Sequence, residues 1–194
     1  MKNTILLSIF ILVSFSFSLF SFDLPKSWFK AGSEPKKYEM GIDKGAGRDG
    51  KNAATIQSKD KKINGFGTLM QDCLPDNYLG KRIRMNGFIK SKDVDDKAGF
   101  WLRVDQSHSN DPLSFDNMLN RPIKGTTEWK KYEIVLDVPV NAINIAYGAL
   151  LVGTGQIWFD EITFEIVDNS IPTTGRGKEN LMPSKEPLNL DFEK

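Results

Sequence analysis

Apolar and polar positions along this chain alternate with a period of two. From Arg82 to Lys90, Ile83, Met85, Gly87 and Ile89 fall on one side, and Arg82, Arg84, Asn86, Phe88 and Lys90 on the other. From Gly99 to Asp105, Phe100, Leu102 and Val104 oppose Trp101, Arg103 and Asp105. Successive side chains of a strand point to opposite faces, so the aliphatic sets predict the buried face. Beyond residue 22, no apolar spacing of i, i+3, i+4, i+7 lasts three turns. The candidate strands are Tyr38–Asp43, Ala53–Ser58, Gly67–Cys73, Arg82–Ser91, Gly99–Asp105, Leu113–Asn117, Lys131–Val138, Ile143–Val152 and Gln156–Val167. Gly, Asp, Asn and Pro punctuate them. About nine such strands predict an all-β, two-sheet antiparallel sandwich. In Gln156–Val167, Ile157 and Phe159 share one side while Ile162, Phe164 and Ile166 take the other. The apolar side therefore switches midway, as in a strand that bends.

The two ends differ from this pattern. Residues 1–22 hold one charge, Lys2, then an apolar run from Ile5 to Val13 and a Ser/Phe/Leu mixture. That order predicts an export signal, and a periplasmic or extracellular location. Thr4–Phe22 is also just long enough to span roughly 30 Å of hydrocarbon, so a retained anchor is the alternative, and membrane contact is expected only then. Residues 23–167 are expected to form the sandwich. Residues 168–194 carry Pro172, Pro183 and Pro187 among Thr, Gly, Lys and Glu, and read as an extended tail. It ends in Leu188-Asn-Leu-Asp-Phe-Glu193, an apolar island that a plain linker does not need.

Charge and composition exclude some partners. The chain has 26 basic and 25 acidic residues. No basic footprint for nucleic acid results. The single cysteine, Cys73, has no disulfide partner within the chain, and its place after an apolar stretch predicts burial. His108, the one histidine, sits in the polar run Gln106–Asp111 without a motif partner. No Gly-x-Ser-x-Gly elbow is present, and no two carboxylates pair convincingly across a cleft as glycoside hydrolysis requires. The expectation is a protein that is not an enzyme, with a hydrolase as the weakest alternative.

Two segments carry a resemblance. Gly125-Thr-Thr-Glu-Trp-Lys-Lys-Tyr-Glu-Ile-Val-Leu-Asp-Val-Pro139 and Gly155-Gln-Ile-Trp-Phe-Asp-Glu-Ile-Thr-Phe-Glu-Ile-Val167 resemble carbohydrate-binding-module-like jelly rolls of the galactose-binding-like superfamily. Leu24–Ser33, Gly65–Gln71, Phe115–Met118 and Arg121–Thr126 resemble an uncharacterised bacterial family often labelled AraC-type transcriptional regulators. The first resemblance implies a jelly-roll sandwich. It also implies a structural Ca²⁺ beside the last strand, with Asp160 as one ligand. The matching Glu stands in the tail as Glu193, which reaches Asp160 if the tail folds back as an extra strand. The regulator label implies DNA binding, which the charge balance and the absence of a helix-turn-helix pattern do not support.

The candidate site is the second face of the alternating strands. Trp101, Arg103 and Asp105, with Arg84, Asn86 and Phe88, combine aromatic rings with groups that bond hydroxyls, a mixture suited to a carbohydrate or similar polar ligand. Gln71 and Tyr147 are expected to line the same face. Asp116, Asn117 and Arg121 are expected on a loop at its edge. The alternative is a structural or protein-interaction domain of the cell envelope, with an envelope protein as partner.

Overall fold

The computed structural model describes residues 21–177. The expected export segment, the apolar island and Glu193 lie outside the described residues, apart from Ser21 and Phe22. Ten strands follow in order: β1 (Phe29–Gly32), β2 (Tyr38–Asp43), β3 (Ala53–Ser58), β4 (Phe66–Cys73), β5 (Lys81–Gln106), β6 (Ser114–Asp116), β7 (Ile123–Val138), β8 (Ala142–Val152), β9 (Gln156–Val167) and β10 (Arg176–Gly177). Short 3₁₀ turns at Pro35–Lys37 and Asp76–Tyr78 are the helical elements among the described residues.

Strand β5 organises the fold. The sequence pattern divides it at Lys92–Ala98, but there the chain bends and keeps pairing. Its ladder with β7 is irregular between Ile89 and Ala98, and Asp93 adopts a φ of 52°. The first half of β5 pairs with β7 and β9, and the second half with β8 and β6. Two layers result. The first is β7-β5-β9-β3-β2, and the second is β6-β5-β8-β4-β1 with β10 on β6. Strands β8 and β9 run as one hairpin-linked path along the whole of β5. Gly153 and Gly155 form the link at φ of 74° and 123°, a region that suits residues without a Cβ.

The predicted aliphatic faces meet between the layers. Ile83, Met85 and Ile89 from one half of β5 and Phe100, Leu102 and Val104 from the other belong to one buried cluster. The layers interlock through Phe100 and Phe159, whose rings meet edge-on at 6.1 Å. Tyr38 bonds the carbonyls of Gly65 and Gly153 across the top. The switch of sides in β9 is a bulge. Phe88 pairs with Asp160, but Asn86 pairs with Thr163, and Glu161 adopts a φ of 54°. Ile162 and Phe164 thereby pack on the core after Ile157 and Phe159.

The residues after β9 run along the sandwich. Arg82 bonds the carbonyls of Asn169 and Ile171, Thr174 exchanges backbone and side-chain bonds with Val135, and β10 pairs with β6. Asp168–Gly177 is thus a strap from the β7 layer to the β6 layer. Buried Asp116 anchors it, accepting from Thr174 Oγ1 (2.6 Å), Arg121 Nη2 (2.6 Å) and the Met118 amide (2.7 Å).

Candidate functional site

The bend in β5 separates the expected constellation. Trp101, Arg103 and Asp105 lie on the outer face of the β8 layer, whereas Arg84, Asn86 and Phe88 lie on the outer face of the β9 layer. One alternating register per strand is legible in sequence. The fold-over that turns two halves of one strand back to back is not. The two sets cannot form one site.

The set on the β9 layer is also engaged already. Arg84 pairs with Glu165 (2.9 Å) and Glu133 (3.3 Å). Asn86 is buried. The Arg48 guanidinium lies 3.4 Å from the centre of the Phe88 ring and pairs with Glu161 at 2.6 Å. Lys90 stands over Trp158, whose Nε1 donates to Asp43 Oδ2 at 2.7 Å. Asp160 accepts from the amides of Arg48 and Glu161. Its neighbour Glu161 is held by Arg48, and among the described residues no group of three or more His, Cys, Asp or Glu converges as a metal site. Glu193, the partner expected of Asp160, lies outside the described residues.

The outer face of the β8 layer is different. Cross-strand partners share a side of the sheet. One row runs Trp101, Gly148, Met70 and Phe29 across β5, β8, β4 and β1. A second runs Lys97, Val152 and Phe66, and a third Phe115, Arg103, Ala146 and Asp72. Trp101 packs there with Ala146, Leu150, Met70, Phe115 and Val152 and is 9% exposed. Its Nε1 donates to Thr68 Oγ1 at 2.8 Å, which pins the indole across the strands. Gly148, opposite Trp101, has no room for a Cβ, which would collide with the Leu69 carbonyl. Toward β1 the face opens, with Phe29 41% and Phe66 36% exposed. Beside Trp101 stands a polar cluster. Arg103 bonds Asp105 (2.5 Å) and the Asn110 carbonyl (2.8 Å), and Asn144 donates to Asp105 (3.1 Å).

Gln71 and Tyr147 are bonded to each other but do not line this face. Tyr147 pairs with Leu102, not with Trp101, so it points between the layers, where it meets Trp28, Phe164 and Gln71. Burial, with Cys73, Tyr78 and Asp72 nearby, raises its hydroxyl pKa. Cys73 is exposed rather than buried, because β4 ends there at the rim of the sandwich. Partial desolvation and Asp72 push its thiol up, away from a reactive thiolate. Asn117 is half-buried after β6, and Asp116 and Arg121 are paired with each other as strap anchors. His108 is exposed in the loop after β5. Phe29, Phe66, Met70 and Asn144 were not expected in the site. β1 is absent from the predicted strands and the predicted β4 begins at Gly67, so nothing in the sequence marks Phe29 and Phe66 as residues of this face.

No family model matches the chain. Solved structures share its architecture. The Clostridium thermocellum xylanase 10B CBM22-1–GH10 modules complexed with xylohexaose align with a TM-score of 0.54 at 12% identity, over 73% of this chain and 26% of that one. The CBM22-1 xylan-binding domain of Paenibacillus barcinonensis Xyn10C aligns at 0.53 and 11% identity, over 75% of this chain and 88% of that one. The chain has a carbohydrate-binding-module-like fold. At such identities the likeness carries the fold alone. The tailspike protein 4 enzymatically active domain of bacteriophage CBA120 also aligns at 0.53, with 12% identity over 73% of this chain and 20% of that one, so part of that chain has the same architecture. An uncharacterized HTH-type transcriptional regulator of Bacillus subtilis (strain 168), YbfP, is 48% identical over 173 residues, 87% of this chain. The chain spans 57% of that protein's length. The described part of this chain is the sandwich and has no α-helix.

Proposed function

We propose that this chain is an exported, non-catalytic module that binds a carbohydrate on the outer face of the β8 layer. The observation that carries the reading is the row Phe29, Met70, Gly148 and Trp101, flanked by Arg103, Asp105 and Asn144. A sugar presents apolar C–H faces and polar hydroxyl edges. The row offers rings for the first, and the Arg103–Asp105–Asn144 cluster offers donors and acceptors for the second. The module-like fold supports the same class of ligand.

The test is a thermal-shift screen of the protein against a panel of soluble glycans, with added Ca²⁺ and with a chelator. A ligand that binds only the folded state at 100 times its Kd stabilises by about 2.7 kcal/mol. A glycan-dependent rise that Phe29→Ala and Asn144→Ala each weaken is the expected result. No rise with any glycan would overturn the reading. The chelator arm reads separately whether the protein holds a structural Ca²⁺. A second reading, a protein-docking domain, draws on the opposite end of the sandwich, where Leu74, Val140, Ile143 and Ile166 are exposed.

A further inference from the structure

The outer face of the β8 layer has an occupant within the chain itself: we propose that Leu188-Asn-Leu-Asp-Phe192 docks on it, over Phe29, Phe66 and Met70. The strap delivers the chain to this face. Arg176 pairs with Phe115 and Gly177 with Ser114, at the β6 edge of this face. Phe115 is itself part of the Trp101 cluster. The chain therefore passes Gly177 at the rim of the apolar face, held there by the Thr174 bonds to Asp116 and Val135.

The chain beyond the strap is long enough to cross the layer. From β6 to β1 the layer is five strands wide. Four strand spacings amount to roughly 19 Å. The residues from Gly177 to Leu188, extended, cover about 36 Å. Leu188 can thus stand at the far edge, beside β1, without strain.

The residue pattern of the segment also suits the face. Leu188, Leu190 and Phe192 alternate with Asn189, Asp191 and Glu193. An extended segment of this kind has one apolar and one polar side. It fits a surface that is apolar below and needs a polar cover above. Phe29 and Phe66, at 41% and 36% exposure, share this side of the sheet with Met70, and exposed apolar side chains rimmed by polar ones mark a place where something docks. Docking here would place the segment in competition with a carbohydrate. That consequence rests on the proposed function, but the docking does not.

Hydroxyl-radical footprinting of the full chain tests the docking without any sugar. Oxidation of Phe29, Phe66 and Met70 is compared between the unaltered chain and the variant Leu188→Ser, Leu190→Ser, Phe192→Ser. Leu74 and Ile143, at the other end of the sandwich, serve as internal references. The expected result is oxidation several-fold faster at the three face residues in the variant, unchanged at the references, and slowed again by a peptide of residues 178–194. Equal rates in the two proteins would overturn the proposal. So would protection that survives the substitutions but vanishes on dilution, which would assign the face to a second copy. A chain that passes this test but shifts with no glycan would retain the docking and lose the carbohydrate reading.

Discussion

Trp101 and Trp158 each belong to an outer layer of the sandwich, and each has its indole N–H bonded within the protein. Their surroundings are opposite. Trp101 donates to the Thr68 hydroxyl among Met70, Leu150, Phe115 and Val152. Trp158 donates to the Asp43 carboxylate beneath the Lys90 ammonium, on a face laced by Arg82–Asp137, Arg84–Glu165 and Arg48–Glu161 pairs. Both faces alternate apolar-in and polar-out along β5. The difference lies in the residue types each neighbouring strand sets beside it. One face pairs its charges across neighbouring strands around Trp158. The other leaves rings and a polar cluster at its surface.

Removing each tryptophan in turn should affect the two faces very differently. Trp101→Ala takes away a ring that is 9% exposed and leaves Thr68 without its donor. A loss of about 3–5 kcal/mol is expected in chemical denaturation. Trp158 is half-buried, and Trp158→Ala should cost roughly half as much on the same scale. Equal losses would show that the two faces are packed alike and would dissolve the distinction.

Asp116 ties the two layers at the strap. Asp116→Ala leaves Arg121, the Met118 amide and Thr174 without their shared acceptor. The expected loss is about 2 kcal/mol, with faster proteolysis after Asp168. A stable variant with an unchanged digestion pattern would show that the strap holds by its backbone pairing alone.

How much of this was legible depended on distance along the chain. Alternation marked the buried sides of Ile83–Ile89 and Phe100–Val104, and β2, β3 and β9 fall where the turn residues place them. β1 was not legible. Phe29-Lys-Ala-Gly32 is four residues long and has no alternation to read; it becomes a strand because β4 offers an edge. The site failed for a different reason. Trp101 and Arg84 belong to one strand, and the pattern puts both away from the core. Nothing local states that the irregular pairing at Ser91–Ala98 turns the second half onto the other layer. Cys73 was misplaced because an apolar run says that a strand is buried, not where it ends.

Arg48 is a more exposed member of the charged face. It covers Phe88 and pairs with Glu161, but about a third of its side chain is exposed. Arg48→Ala should cost about 0.5–1 kcal/mol. The cost should shrink in high salt, because screening weakens an exposed pair in the folded parent. Binding at the β8 layer should not respond to this substitution. A loss of glycan binding in Arg48→Ala would move the site to the charged face.

Phe29→Ser with Phe66→Ser is the smallest change in stability and the most direct probe of the open face. Both rings lie on the outer side of strands that are held by their backbone ladders, and both are more than a third exposed. Substitutions at such positions usually stay within about 0.5 kcal/mol, and relief of an exposed apolar patch offsets part of any loss. The denaturation midpoint should therefore hold while the glycan-induced rise in melting temperature disappears. This separates two meanings of an aromatic on a sheet. Trp101 is bound into the layer by Thr68 and its neighbours, so its removal mixes folding with binding. Phe29 and Phe66 contribute little to folding, so a variant that keeps its midpoint and loses its ligand locates recognition at the β1–β4 edge. A variant that keeps both would confine recognition to Trp101 and the Arg103–Asp105–Asn144 cluster, and the exposed rings would then be left to the chain's own C-terminal segment.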